Sequence, residues 1–429
     1  YNVELLRGDL NAVEEAVDLF QQALYRQYMA SATSNPDNEL IEQPLQNDQV
    51  MSLLDISGPV MMKLEQALSS VQLHFSALSH LFSSQSDRWL LSDRYLMSQF
   101  QSQLAKLIEA DQTLNEFNGT LQQQGEAAAF WITIRQSSEQ SALQLSGGLL
   151  EATHYLTKNV YPYFAQPLFV GATLFTSPRS LYLYHQLDLE RNNTLTRRFA
   201  SPYNYKQHAK LLIAEDAPVP SAQNNSDYIK YLSDTIYQLT KNADYQTMIL
   251  FNSLVMIEQV YSQLRETDLF DQRDILAQGI TGNRDKILKQ FSGGKNSILL
   301  GASSFWEGID LPESALELLI ITRLPFDSPD EIMNRAHNKL LQQQGKNPFY
   351  HSELPKATMR LRQGIGRLLR TEDDHGVAVV LDPRLKTRRY GKTILSSLPT
   401  DLPVSSKKTA ELISITQKFL QNGKEDKVN

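Results

Sequence analysis

Leu354-Pro355-Lys356-Ala357-Thr358-Met359-Arg360-Leu361-Arg362-Gln363-Gly364-Ile365-Gly366-Arg367-Leu368-Leu369-Arg370 is the stretch that decides how the rest of the chain reads. Its spacing predicts a helix over 354–370, with Ala357, Leu361, Ile365, Leu368 and Leu369 as one apolar stripe. Gln363, Arg367 and Arg370 then fall at i, i+4 and i+7 on the opposite face. Guanidinium groups are permanently charged forks of donors suited to phosphate, and a glutamine amide can orient a water or a phosphate oxygen. By spacing alone, the same pattern also fits a solvated basic face.

Working outward, short apolar runs alternate with helical periodicity on both sides of this stretch. Strands are expected at Thr247 to Phe251, Ser297 to Leu300, Leu316 to Ile321 and Val377 to Leu381, and helices at Leu254 to Leu264 and Arg284 to Phe291. That alternation is the signature of a parallel sheet in an α/β domain. Upstream, Phe130 to Ile134 and Pro167 to Gly171 also read as strands. Pro218 to Ser226 reads as a surface loop, and Lys407 to Asn429 as a helix fraying into a charged tail.

The amino-terminal part has another texture. Apolar residues at Leu10, Val13, Val17, Phe20, Leu24 and Tyr28, then Leu64, Leu68, Val71, Phe75 and Leu78, then Leu96, Phe100, Leu104, Leu107 and Leu114 mark three amphipathic helices, the first ended by Ser34-Asn35-Pro36-Asp37-Asn38. These stripes are expected to form the core of a helical bundle.

Composition sets bounds on function. The chain has 429 residues, 41% of them hydrophobic and 21% charged, with a formal net charge of −7. Such a chain does not coat nucleic acid indiscriminately, so any affinity must come from a local basic region. Lys356, Arg360, Arg362, Arg384, Lys386, Arg388, Arg389 and Lys392 supply one, with Tyr390 among them. There is no cysteine, which excludes disulfides, thiolate catalysis and a cysteine-held iron–sulfur cluster in this chain. No signal peptide or long apolar run is present, so the expectation is a cytoplasmic protein that does not enter a membrane. The chain opens at Tyr1 rather than Met, as a fragment would.

Gln363-Gly364-Ile365-Gly366-Arg367-Leu368-Leu369-Arg370 resembles helicase motif VI of superfamily 2 in the variant of the DinG and XPD group. Gly301-Ala302-Ser303-Ser304-Phe305-Trp306-Glu307-Gly308-Ile309-Asp310-Leu311-Pro312 resembles motif V of the same group, Met248 to Ser253 motif IV, and Gly171-Ala172-Thr173 motif III with Gly where many relatives have Ser. Arg284-Asp285-Lys286 and Leu381-Asp382-Pro383-Arg384-Leu385 also match the DinG pattern.

The resemblance implies an α/β, RecA-like parallel-sheet motor domain, the second helicase domain, at 196–429. A terminal remnant of the first RecA-like domain is implied at 127–195, and an all-helical arch-like insertion at 1–126. It implies that Arg367 and Arg370 act as arginine fingers on the γ-phosphate of ATP with Gln363 nearby, and that Glu307, Gly308, Asp310 and Gly366 belong to the nucleotide side. Ser253, Ser303, Ser304, Thr173 and Arg384 would contact single-stranded DNA. ATP and Mg2+ are the implied cofactors, held largely by a first RecA-like domain outside this chain.

The departures are informative. The one Gly-Lys-Thr, Gly391-Lys392-Thr393, has Lys386 where a P-loop needs its first Gly, and no Asp-Glu-Ala-His sequence is present. Glu372-Asp373-Asp374-His375 fits a polar turn better than a metal site. The whole protein is therefore expected to carry the P-loop and the magnesium motif upstream, with either an exonuclease or an iron–sulfur domain. The resemblance points to DNA repair or replication. The rival reading is a nucleotide-independent nucleic-acid-binding or nuclease-accessory module that keeps a helicase-like fold.

Overall fold

Three long helices come first in the computed structural model: α1 (Asn2–Ser31), α2 (Asn47–Ser83) and α3 (Leu91–Gln124). The structure describes residues 2–31, 40–45, 47–83, 90–124, 128–136, 141–151, 153–176, 181–221, 225–294, 296–306 and 316–428. The expected break at Ser34 to Asn38 lies outside them. Val13 and Ala16 of α1 pack with Leu64, Leu68, Val71 and Phe75 of α2 and with Leu104 of α3, and Phe75 stacks on Phe100 at 4.5 Å. The stripe on α2 is buried as its period demands. On α1, Leu10 and Val17 remain exposed, because the small Ala16 takes the central contact.

A strand β1 (Leu40–Pro44), β2 (Ala128–Gln136) and β3 (Ser141–Leu149) form an antiparallel sheet in the order β1-β2-β3. β1 adds a strand to a region whose periodicity reads as helix alone. Its pairing, Leu40 opposite Arg135 through Pro44 opposite Trp131, comes from far along the chain. These elements, with 330–343 and its helix Ile332–Gln343, make one compact unit spanning 1–151. Gly148 accommodates Met333 there: a Cβ would sit 3.0 Å from the methionine methyl.

Residues 152–329 and 344–429 make the other unit. Its sheet consists of β4 (Ala209–Ala214), β5 (Thr247–Leu250), β6 (Ile275–Ala277), β7 (Ile298–Gly301), β8 (Leu318–Ile321), β9 (Gly376–Val380) and β10 (Val404–Lys407). The order is β10-β4-β9-β8-β5-β7-β6, and every pairing is parallel. A parallel sheet must be covered on both faces, which is why its strands read as unbroken apolar runs. Alternation along each strand divides them. Met248, Leu299, Leu319 and Ala378 face one core, under Leu354, Leu361 and Ile365. Ile249, Leu300, Ile320 and Val379 face the other, under helices Asn225–Thr240, Leu254–Leu264 and Thr409–Val428.

Two expectations are corrected. Pro167 to Gly171 is not a strand: it joins no ladder among the described residues, and Leu168 and Val170 are 85% and 84% exposed. Apolar sequence makes a strand only where another edge accepts its backbone groups. The helix Leu354–Ile365 also stops five residues short of Arg370. Gly364 and Gly366 make propagation unfavourable, Gly366 takes the C-cap, and a turn carries the chain on.

Candidate functional site

In a parallel α/β sheet the loops leaving the carboxyl ends of the strands gather on one edge. After β7, Ser303–Phe305 forms one tight 3-10 turn. Gly301 is required for it, because a Cβ there would lie 2.5 Å from the Phe305 ring. Phe305 and Trp306 are buried, and the Trp306 indole N–H donates to the Phe251 carbonyl at the end of β5, at 3.0 Å. Gln278 fastens the turn from its other side. Its amide oxygen accepts from the Ala302 N–H at 2.8 Å, and its amide nitrogen donates to the Ser304 hydroxyl at 3.2 Å.

Arg367 points inward, contrary to the expected polar face. It is 7% exposed, and its guanidinium donates to the carbonyls of Phe305 at 2.6 Å and Trp306 at 2.5 Å. The reason is the early end of the helix: once the backbone turns at Gly366, position 367 no longer continues the face of Gln363. The cation thus bridges the motif VI turn to the motif V turn through two main-chain carbonyls.

Arg370 is half-buried, and its backbone is held at both ends. Its N–H donates to the Asp374 carboxylate at 2.8 Å, and its carbonyl accepts from the Tyr203 hydroxyl at 2.7 Å. Asp374 also accepts from Thr371 N–H at 2.8 Å, so this acidic cluster closes the turn that presents Arg370. Gln363 is half-buried, and its amide oxygen is buried without a hydrogen-bond partner among the described residues. An orphaned acceptor here suits a donor such as a water near a phosphate, so the residues present fit the approach of a nucleotide. Gly366 is exposed beside it.

The other candidates are scattered over the loops of this unit. Ser253 is exposed and caps the helix Leu254–Leu264, its hydroxyl accepting from Met256 N–H at 3.3 Å. Thr173 is half-buried in a turn, and Phe175 just beyond it offers its carbonyl to Arg362 at 3.0 Å. Burial, and then the nearby Arg198 charge, lower the Arg362 pKa. Ser303 opens the 3-10 turn, and Ser304 is exposed on it. Glu307, Gly308 and Asp310 lie outside the described residues. Arg384 forks onto the fully buried Asp382, with contacts of 2.7 and 2.9 Å, and this hydrogen bond raises its pKa. Asp382 also accepts from the Leu324 N–H, so the pair fastens β9 to the loop after β8.

Sequence reasoning missed Asp374, Gln278 and Asp382 as organisers of these turns. An aspartate four residues past Arg370 is a detectable turn signal; the reach of Gln278 to β7 is not. Gly391 also has a role that its Gly-Lys-Thr context hides. A Cβ there would sit 1.9 Å from the Leu385 carbonyl, so glycine is needed for the chain to fold back on itself.

Residues 236–401 match the family model of the helicase C-terminal domain, which takes in β5 to β9 and both turns joined by Arg367. The chain carries a DinG-type superfamily 2 helicase C-terminal region. The chain is 31% identical over 340 residues to the 3'-5' exonuclease DinG of Bacillus subtilis, covering 79% of the chain and 36% of that relative. It is 34% identical over 281 residues to the ATP-dependent DNA helicase DinG of Photobacterium profundum, covering 64% of the chain and 40% of that relative. The chain therefore spans well under half the length of either. A solved XPD helicase overlaps 94% of the chain and 64% of its own length at 16% identity and a TM-score of 0.48, a loose likeness.

Proposed function

We propose that this chain is part of an ATP-dependent DNA helicase that couples ATP hydrolysis to movement along single-stranded DNA and to duplex unwinding, in the cytoplasm and in the service of DNA repair or replication. The observation that carries the reading is the Arg367 bridge. A cation that ties the motif VI turn to the motif V turn lets a change at a phosphate reach a loop after β7 in one step. In this reading 196–429 is the second motor domain, 127–195 the end of the first, and 1–126 an arch-like insertion. ATP and Mg2+ sit mainly on the first motor domain, outside this chain. When bound, the magnesium nucleotide supplies the phosphoryl group to be transferred.

This chain's residues then divide the work. Arg370, set by Asp374 and Tyr203, stabilises charge on that group. Gln363 orients water, and Gly366 lets the backbone approach. Arg367 carries the signal to Glu307, Gly308 and Asp310, whose segment follows Trp306. Ser253, Ser303, Ser304, Thr173 and Arg384 stand on the DNA side, Arg384 chiefly by anchoring its loop through Asp382. A neighbouring exonuclease domain, as the name of the Bacillus subtilis relative suggests, is a further part of the proposal.

The test is DNA-stimulated ATP hydrolysis by the whole protein and its Arg370→Ala variant. Removing an arginine finger typically lowers turnover about 10³- to 10⁵-fold. The expected outcome is a loss in that range with the fold and DNA affinity retained. Turnover equal to wild type would sink the assignment.

A further inference from the structure

Aromatic residues beyond β8 and β9 form one connected cluster. Phe326, in the loop after β8, lies 5.6 Å from Phe349 and 5.5 Å from Tyr390, and Phe349 lies 5.4 Å from Tyr390. These three rings are half-buried against the core beneath the helix Leu354–Ile365. The fourth ring differs. Tyr350 stands edge-on to Phe349 at 5.3 Å, with planes 84° apart, and is 61% exposed. A lone exposed tyrosine needs no explanation. One propped against a packed aromatic base, with most of its ring in solvent, is a rigid apolar platform.

The mounting is unusual as well. Tyr350 sits in a π-helical turn, Phe349–Glu353, directly before the helix that leads to Gln363. Such turns are rare and occur frequently at functional sites.

Charge narrows the choice of ligand. Two carboxylates of this neighbourhood are matched: Asp327 takes Arg360 and, at 3.7 Å, Lys356, while Asp382 takes Arg384. Lys386, Arg388, Arg389 and Lys392 are exposed and form no ion pair among the described residues. The last two arginines immediately precede Tyr390 of the cluster. The surface therefore offers a flat aromatic face beside surplus positive charge. That combination recognises a chain of planar bases joined by phosphates, since every base has a stackable face and stacking tolerates any sequence.

We propose that Tyr350, backed by Phe349 and Tyr390, is a base-stacking platform for single-stranded nucleic acid, with Arg388 and Arg389 on the adjoining phosphates. It rests on the nucleic-acid reading above and adds a subsite to it. Double-stranded nucleic acid is disfavoured, because its bases are already stacked on each other.

The experiment compares fluorescence anisotropy of two labelled strands of equal length on the 429-residue chain, one oligo(dT) and one abasic. Tyr350→Ala should weaken oligo(dT) binding about 10-fold and leave the abasic strand unchanged, with Tyr350→Trp restoring affinity. Arg388→Ala and Arg389→Ala should weaken both strands and flatten the salt dependence. If Tyr350→Ala binds oligo(dT) like wild type, or loses both strands equally, the platform is overturned while the nucleic-acid reading stands. If wild type binds neither strand at low salt, both are overturned.

Discussion

Arg367 shows how one side chain changes meaning when its surroundings are known. On an ideal helix it would share a face with Gln363, and replacing it would touch only chemistry. Buried on the carbonyls of Phe305 and Trp306, it has a structural duty as well. Arg367→Ala should therefore destabilise the domain by about 2 to 4 kcal/mol, since two charge-assisted hydrogen bonds are lost from a buried site. Urea unfolding read by tryptophan fluorescence measures this directly, and an unchanged midpoint would return Arg367 to the surface. Leu361→Ala, in the fully buried stripe of the same helix, should cost about 2 to 5 kcal/mol by leaving a cavity.

Among the elements, two glycines in helices make opposite forecasts. Gly391→Ala forces a methyl into the Leu385 carbonyl and should destabilise by about 1 to 3 kcal/mol or more. Gly293, at the end of the helix Arg284–Gly293, has open space around its Cβ position, and Gly293→Ala should be neutral or stabilising by up to about 1 kcal/mol. Thermal melts of the two variants would separate them. Two buried phenols, Tyr228 on the helix Asn225–Thr240 and Tyr245 in the segment that leads into β5, report on alkaline pH. Burial pushes the Tyr245 hydroxyl up to about 12, although the Arg273 charge beside it pulls the other way, and burial raises Tyr228 further still. An acid whose folded pKa is raised contributes stability that is complete below its unfolded value near 10 and is lost as pH climbs through the folded value. The unit should thus weaken above about pH 10. In a spectrophotometric titration these two tyrosines should ionise only as the fold opens. Reversible ionisation of all tyrosines near pH 10 with the circular dichroism intact would contradict their burial.

For the whole molecule, the net charge of −7 and the exposed basic strip at Lys386 to Lys392 set the expected behaviour toward polyanions. Binding to single-stranded DNA should be weak and should fall steeply with added salt, as counterion release demands. An affinity indifferent to salt would rule out a backbone-dominated contact. The isolated chain should not hydrolyse ATP, because its Gly-Lys-Thr is a packing device under Leu385 and not a phosphate cradle. DNA-stimulated turnover by the chain alone, at a rate typical of helicases, would refute that. No helix among the described residues is long and apolar enough to cross a membrane.

The strands β5, β7, β8 and β9 and the helices around them were legible because a doubly covered parallel sheet needs unbroken apolar runs, and such runs survive in the linear sequence. The long amphipathic helices of the amino-terminal part were legible for the same reason, through their period. Pairing was not. β1 meets β2 across two long helices, β6 is an edge of three residues and β10 a polar edge, Val404-Ser405-Ser406-Lys407, without an apolar run, and Pro167 to Gly171 has a strand's composition without an edge to join. The order of residues in the 363–370 stretch identified its chemical groups, but where each points depended on a helix ending at Ile365 and on carbonyls offered by a turn sixty residues upstream. Local sequence sets propensity and period; the partners of a buried cation and of an open strand edge are chosen only when distant segments meet.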